Sequence, residues 1–169
     1  MRKPGRILII NGGGCVAFAV SRVSDLPLEA LAPLIAESER LGWRFVRRLA
    51  DGWAAGTNRF DRDGESFFVA RMSGAIVGVC GLNADTYVAN DTTGRVRRLY
   101  VLRAYRGIGI GERLVQTVIA AAAGRFQRLR VKTENPEADR LYRRLGFQVV
   151  TGVADCTHML DFIGTRRST

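Results

Sequence analysis

The second half of the chain alternates between strand-like and helix-like segments, and this alternation constrains the fold most. An apolar run over 99–102 is followed by a helical pattern over 109–123. Residues 128–132 then alternate as a half-buried strand, and Asn135 before a proline opens another helix, which Gly146 would end. Strands alternating with helices are typical of an α/β domain whose helices pack on one central sheet.

The first half adds further strands and a pair of helices. Two helical patterns lie within 24–50, and the glycine-containing segment 51–64 is predicted to be a loop. The predicted strands lie at 15–23, 66–71, 75–82, 95–102, 128–132, 147–150 and 156–162. The element order predicts one α/β domain with a mixed central sheet flanked by helices, over residues 15–169.

Residues 1–14 are interpreted as a leader that is either poorly ordered or an edge strand. A glycine run at 12–14 interrupts the apolar residues 7–10, so the apolar core of a signal peptide is missing. No run approaches the roughly 20 apolar residues of a membrane-spanning helix. The sequence therefore predicts a cytoplasmic protein without a membrane partner.

Composition excludes several classes of protein. Apolar residues make up 47% of the chain and charged residues 25%, as in ordinary globular proteins. The three cysteines are widely spaced and form no C-x-x-C pair, which argues against a disulfide scaffold. His158 is the only histidine and has no ligand cluster around it in sequence, so no metal is expected.

A glycine-rich segment from Arg106 to Glu112 lies between an apolar strand and an amphipathic helix. Glycines at 107, 109 and 111 leave the backbone open, and the first amides of a helix lack intrahelical partners. Such a turn can bind a pyrophosphate. The residues alone fit equally well a glycine-rich turn that only packs helix against strand.

Two spaced motifs resemble the GNAT superfamily of N-acetyltransferases. The first is Arg106-x-x-Gly109-x-Gly111, which is similar to the pyrophosphate loop of that family. The second is Asn135-x-x-Ala138-x-x-Leu141-Tyr142-x-x-x-Gly146-Phe147, which is similar to its acceptor-side helix and following strand. The match covers about residues 94–148, and the element order extends it from about residue 15.

The resemblance implies acetyl-CoA as the acyl donor and an amine as the acceptor. The Leu99 amide would face the thioester carbonyl, Val101 would pair with the pantetheine arm, and Asn135 would hydrogen-bond to pantetheine. Tyr142 would donate a proton to the leaving thiolate, although it also lies on an apolar helix face that favours a core role. The implied cofactor-binding residues are Leu99, Tyr100, Val101, Arg106, Gly107, Ile108, Gly109, Ile110, Gly111, Glu112 and Asn135.

The sequence departs from the family at the general base. Some members carry a glutamate early in the strand that here contains Leu99, but positions 95, 97 and 98 are all arginine. Glu37, Glu39 and Asp85 are the alternative carboxylates, each more typical of a surface charge, and deprotonation through water stays open. His158 is interpreted as structural.

The positive charge, +10 in total, is concentrated in one stretch. Residues 92–150 hold 13 basic and 4 acidic residues. A concentrated positive field attracts anions. The alternative function is therefore a non-catalytic CoA-binding or nucleic-acid-binding module, although no RNA-binding aromatic motif accompanies the arginines. The acceptor, a small molecule or a peptide amine, and a homodimer stay open.

Overall fold

The structure is a computed structural model that describes residues 6–11 and 14–162. The described residues form an eight-stranded sheet in the order β1-β2-β3-β4-β5-β6-β8-β7. The strands are β1 (Arg6–Asn11), β2 (Gly14–Arg22), β3 (Ser66–Met72), β4 (Ala75–Ala84), β5 (Thr93–Val101), β6 (Arg128–Val131), β7 (Gln148–Val149) and β8 (His158–Asp161). The sheet is mixed, because β5 and β6 are parallel and the other neighbours antiparallel.

Helices cover both faces of this sheet, which confirms the predicted fold class. They are α1 (Ala32–Arg40), α2 (Phe45–Ala55), α3 (Ile110–Ala123) and α4 (Pro136–Arg144), with short 3-10 helices at Leu28–Leu31 and Arg103–Tyr105. One core forms under α3 around Leu114 and Val118, and a second forms under α1 and α2 around Leu34 and Val46. The sheet therefore separates two apolar layers.

Some element bounds differ from the sequence prediction. The predicted loop at 51–64 begins later, because Trp53 continues the buried face of α2 and Gly56, at φ +74°, ends the helix. The last two strands are shorter than predicted. At the N-terminus β1 pairs with β2 at the edge of the sheet. The rest of the predicted leader, residues 1–5 and 12–13, lies outside the described residues.

β5 and β6 pair only at their beginnings and then separate. The parallel pairing covers Thr93 to Arg95. Further along, β5 contains a bulge. Arg97 pairs with Gly81 and Tyr100 pairs with Val79, so β5 has one more residue between these pairs than β4 has. Arg98 lies within the bulge at φ +62°. A bulge bends its strand and re-aims the neighbouring side chains. The bend accompanies the opening of a cleft between the two strands.

A buried ionic cluster lies just below this separation. Asp85 follows β4 and has a fully buried side chain. Its Oδ2 lies 3.1 Å from Arg130 Nη1 and 3.5 Å from Arg95 Nη1, so one carboxylate faces guanidinium groups from β6 and β5. The Asp85 amide also donates to the Thr93 carbonyl at 2.9 Å. The cluster thus connects three strands where the cleft begins.

We expect Asp85→Asn to destabilise the fold strongly. The substitution keeps the side-chain shape but leaves two buried guanidinium groups without a counter-charge, which costs about 3–5 kcal/mol. The matched control is Asp63→Asn, because Asp63 pairs with Arg125 on the surface and exposed pairs contribute less than about 1 kcal/mol. Urea unfolding measures both variants. Equal losses of unfolding free energy would contradict the central role of Asp85.

Candidate active site

A cavity of about 790 Å³ occupies the cleft between β5 and β6. The glycine segment and the start of α3 border it on one side, and α4 borders it on the other. Tyr142 lines it, and so does every predicted cofactor-binding residue except Ile108, which packs against the core under α3. The lining residues from that set are Leu99, Tyr100, Val101, Arg106, Gly107, Gly109, Ile110, Gly111, Glu112 and Asn135.

The N-terminus of α3 presents backbone donors at this cavity. Gly109 is the N-cap residue at φ +92°, a conformation that favours glycine. The first intrahelical bond runs from the Arg113 amide to the Gly109 carbonyl at 3.0 Å. The amides of Ile110, Gly111 and Glu112 precede that bond and therefore have no partner within the helix. Together with the helix dipole they form a site suited to an anion.

Arg106 fixes the glycine segment to its surroundings. Its Nε donates to the Val101 carbonyl at 2.8 Å, and its guanidinium lies 5.4 Å from the centre of the Tyr100 ring. Its Nη1 lies 3.9 Å from a Glu137 carboxylate oxygen on α4. Arg106 therefore joins the end of β5 to both sides of the cavity.

Tyr142 is almost completely buried, with 2% of its surface exposed, yet it lines the cavity. Its ring packs edge-on against Phe147, with the ring centres 5.2 Å apart, and 5.8 Å from His158. Burial, and to a lesser degree nearby Cys80, raises the pKa of the phenol well above 10. The hydroxyl therefore keeps its proton at neutral pH, which excludes a role as a base, and burial makes it a weaker acid than a phenol in water.

Asn135 is the N-cap of α4, as the sequence predicts. Its side-chain oxygen accepts from the Glu137 amide at 2.9 Å, and its own amide donates to Thr133 Oγ1 at 3.1 Å. The first bond uses the side-chain oxygen and the second the backbone N–H, so neither involves the side-chain NH₂ group. The NH₂ group has no hydrogen-bond partner among the described residues, so Asn135 can act at the cavity as a donor.

The carboxylates that the sequence offered as bases are all held in other contacts. Glu37 accepts from the Tyr100 hydroxyl at 2.7 Å and from the Arg103 amide at 2.8 Å. Burial raises the pKa of Glu37, but these hydrogen bonds and nearby arginines outweigh it and lower the pKa overall. Glu39 pairs with Arg47 on the surface. Asp85, taken from sequence as more typical of a surface charge, is instead buried in its ionic cluster.

The hydrogen bond from the Tyr100 hydroxyl to Glu37 connects β5 to α1. Burial and the hydrogen bond to Glu37 raise the pKa of its phenol to about 12. Its ring meets Phe45 edge-on, with the centres 5.7 Å apart, and Phe45 meets Trp43 at 6.3 Å. Trp43 and Phe45 line the cavity, and Trp43 is 42% exposed. The helical pattern that begins at Gly42 predicts both within a helix, but α2 begins only at Phe45 and Trp43 precedes it.

His158, interpreted from the sequence as structural, contacts two neighbouring side chains. Its Nε2 lies 2.8 Å from Asp139 Oδ1 on α4, and its Nδ1 lies 2.8 Å from Thr157 Oγ1. Within residues 17–162 no cluster of three potential metal ligands occurs. In the same part of the chain, no helix combines the length and the apolar character needed to cross a membrane.

Comparison with known proteins assigns the family. The model of the acetyltransferase (GNAT) domain matches residues 63–149, and the chain belongs to this family. The Xenopus tropicalis protein named "Probable N-acetyltransferase camello" is 29% identical over 143 residues, which is 83% of this chain and 64% of that protein. The chain thus spans less than two thirds of the length of this relative.

Solved structures share the fold. A crystal structure from Exiguobacterium sp. 255-15, whose name places it among acetyltransferases, is 32% identical with a TM-score of 0.77 and covers 85% of this chain and 93% of its own. The Escherichia coli GNAT family N-acetyltransferase YhbS, solved in complex with CoA, has a TM-score of 0.66 at 15% identity and covers 91% of this chain and 86% of its own. At that identity the second likeness concerns the fold alone.

Proposed function

We propose that this protein transfers an acetyl group from acetyl-CoA to a primary amine, by direct attack within a ternary complex. The observation that carries the proposal is the set of three free amides at the start of α3, which open onto a cavity that continues along β5. A thioester donor with a pyrophosphate in its carrier needs such an anion site at one end and oriented backbone donors at the other. YhbS, which shares the fold, was solved in complex with CoA.

Different residues along the cavity would bind different parts of acetyl-CoA. The amides of Ile110, Gly111 and Glu112 would bind the pyrophosphate, and the NH₂ group of Asn135 would donate to the pantetheine arm. Because β6 pairs with β5 only as far as Arg95 in the described residues, the edge of β5 beyond it has amides free for a ligand. The Leu99 amide would donate to the thioester carbonyl oxygen and stabilise the charge that develops there in the transition state.

Proton transfer has a candidate donor in Tyr142, whereas the three carboxylates considered as bases, all among the described residues, are held in other contacts. Tyr142, protonated at neutral pH, would give its proton to the thiolate as the carbon–sulfur bond breaks. The amine must lose a proton, and Glu37, Glu39 and Asp85 are engaged elsewhere. We infer that water accepts this proton, while the arginines of β5 disfavour a charged ammonium in the cavity.

A non-catalytic module that binds CoA or nucleic acid is the second candidate. It is favoured by the arginines at 95, 97 and 98, which stand on β5 where a carboxylate base would be expected. Release of CoA thiol that depends on an added amine would decide for the enzyme. Nucleic-acid binding that is tight and sequence-dependent at physiological salt would decide for the module. The proposal includes a cytoplasmic location and leaves the oligomeric state open.

We expect Gly111→Ile to weaken acetyl-CoA binding at least tenfold, which corresponds to about 1.4 kcal/mol. A Cβ at this position would lie 3.6 Å from Leu141 and 3.8 Å from Val101, so the backbone tolerates the change while the larger side chain occupies the cavity. The matched control is Gly124→Ile at the other end of α3, where a Cβ meets open space. Calorimetric titration measures both, and unchanged binding by Gly111→Ile would remove α3 as the pyrophosphate site.

We expect Tyr142→Phe to lower kcat by a factor on the order of 10²–10⁴ with acetyl-CoA affinity nearly unchanged. The ring and its packing on Phe147 stay, and only the proton donor is lost. Tyr105→Phe is the control, because Tyr105 is half-buried outside the cavity lining. If Tyr142→Phe turns over at the wild-type rate while chemistry limits turnover, Tyr142 is a core residue and solvent supplies the proton.

A further inference from the structure

We propose that the acceptor of this protein is an amine that also carries an anionic group, a carboxylate or a phosphate, which Arg97 and Arg98 bind in the cavity. The inference rests on the proposed acetyltransferase function and specifies its acceptor. It assigns a binding role to the part of β5 where the sequence offers arginines in place of a carboxylate.

The bulge in β5 brings these two arginines to one side of the sheet. Val96 packs into the core under α3, so its neighbour Arg97 points to the opposite face, which α1 and α2 cover. In a regular strand the side chain of Arg98 would point to the face covered by α3, because successive side chains alternate between faces. Arg98 is the extra residue of the bulge, where this alternation is interrupted. Its charge instead interacts with those of Arg97 and of Arg48 on α2. Arg97 and Arg98 both line the cavity.

These cations have no counter-charge in the part of the chain that the structure describes. Neither an ion pair nor a side-chain hydrogen bond joins Arg48, Arg97 or Arg98 to another described residue. Burial, followed by repulsion from Arg97 and Arg48, lowers the pKa of Arg98 to about 10, so it remains charged at neutral pH. A half-buried guanidinium among like charges is costly unless a ligand supplies the opposite charge.

Arg95 adds a third arginine to the side of the cavity that Arg97 and Arg98 line, closer to the base of the cleft. Its side chain is about nine-tenths buried and lines the cavity. Its Nη1 has no hydrogen-bond partner among the described residues, although Asp85 Oδ2 lies 3.5 Å away. Asp85 also faces Arg130, so a single carboxylate lies near two guanidinium groups. The net charge on this side of the cavity is therefore positive.

The carboxylates that line the cavity lie on its other side. Glu112 begins α3 and lies 3.6 Å from Arg144, Glu137 lies 3.9 Å from Arg106, and Glu134 precedes α4. The amides of α3 already provide for a pyrophosphate there. An anion beside Arg97 and Arg98 is therefore best explained as part of the acceptor, whose apolar portion would contact Trp43 and Phe45.

The first test compares amines that carry an anionic group with amines that lack it. The pairs are β-alanine with β-alaninamide, and O-phosphoethanolamine with ethanolamine, which separate carboxylate from phosphate. We expect the anionic member of at least one pair to have a kcat/KM at least about tenfold higher, equivalent to about 1.4 kcal/mol. The advantage should fall below about threefold in the Arg97→Gln/Arg98→Gln double variant and persist in Arg140→Gln, an exposed arginine of α4 outside the cavity lining.

The controls separate this inference from the proposed function. Thiol release with neutral amines at least as fast as with their anionic partners would overturn the anionic acceptor and leave the acetyltransferase intact. A loss of acetyl-CoA affinity in the double variant, measured by calorimetry, would assign the arginines to the cofactor and equally overturn the inference.

A second measurement needs no turnover. With CoA at saturation, sodium phosphate and sodium glutarate are compared with sodium chloride at equal ionic strength, and the thermal unfolding midpoint is recorded. Anions that bind the folded protein raise this midpoint. We expect at least one of the two anions to give a larger rise in the wild type and Arg140→Gln than in the double variant or in Arg97→Gln alone. Equal rises in all four proteins would contradict the site even if no acceptor in the panel is acetylated.

Discussion

The separation of β5 from β6 after Arg95 is the constraint on which the rest of the structure depends. Two parallel strands that pair for only three residues cannot satisfy each other's backbone groups beyond that point. The bulge at Arg98 bends β5, and the buried carboxylate of Asp85 joins both strands below the opening. A cavity between two sheet strands follows, with α3 and α4 as its remaining walls.

This arrangement leaves three kinds of polar group for ligands. The first turn of α3 has amides without hydrogen-bond partners in the helix, and the edge of β5 beyond Arg95 has amides that no neighbouring strand pairs with. Arg97 and Arg98 are positively charged and form no ion pair with a described carboxylate. Each kind would be costly to bury without a partner. The three lie along one cavity, so a single donor and its acceptor can satisfy them together. The function proposed above follows from that coincidence, and the family membership agrees with it.

Features that depend on a few neighbouring residues, such as helix ends and glycine turns, could be predicted from the sequence. Asn135 caps α4 and Gly146 follows that helix at φ +96°, both as expected, and the glycine segment does open onto the cavity. Tertiary contacts determine what the sequence missed. The bulge at Arg98 is visible only in the register between β4 and β5, and the position of Trp43 at the cavity only in the three-dimensional structure. Residue type gave no indication of either.

A crystal structure of the protein with CoA tests the central claim most directly. The account predicts pyrophosphate oxygens within about 3.2 Å of the amide nitrogens of Ile110, Gly111 and Glu112, with the pantetheine arm between β5 and β6 and the sulfur near Tyr142. A pyrophosphate bound away from the N-terminus of α3, or a pantetheine arm outside the cleft, would contradict it.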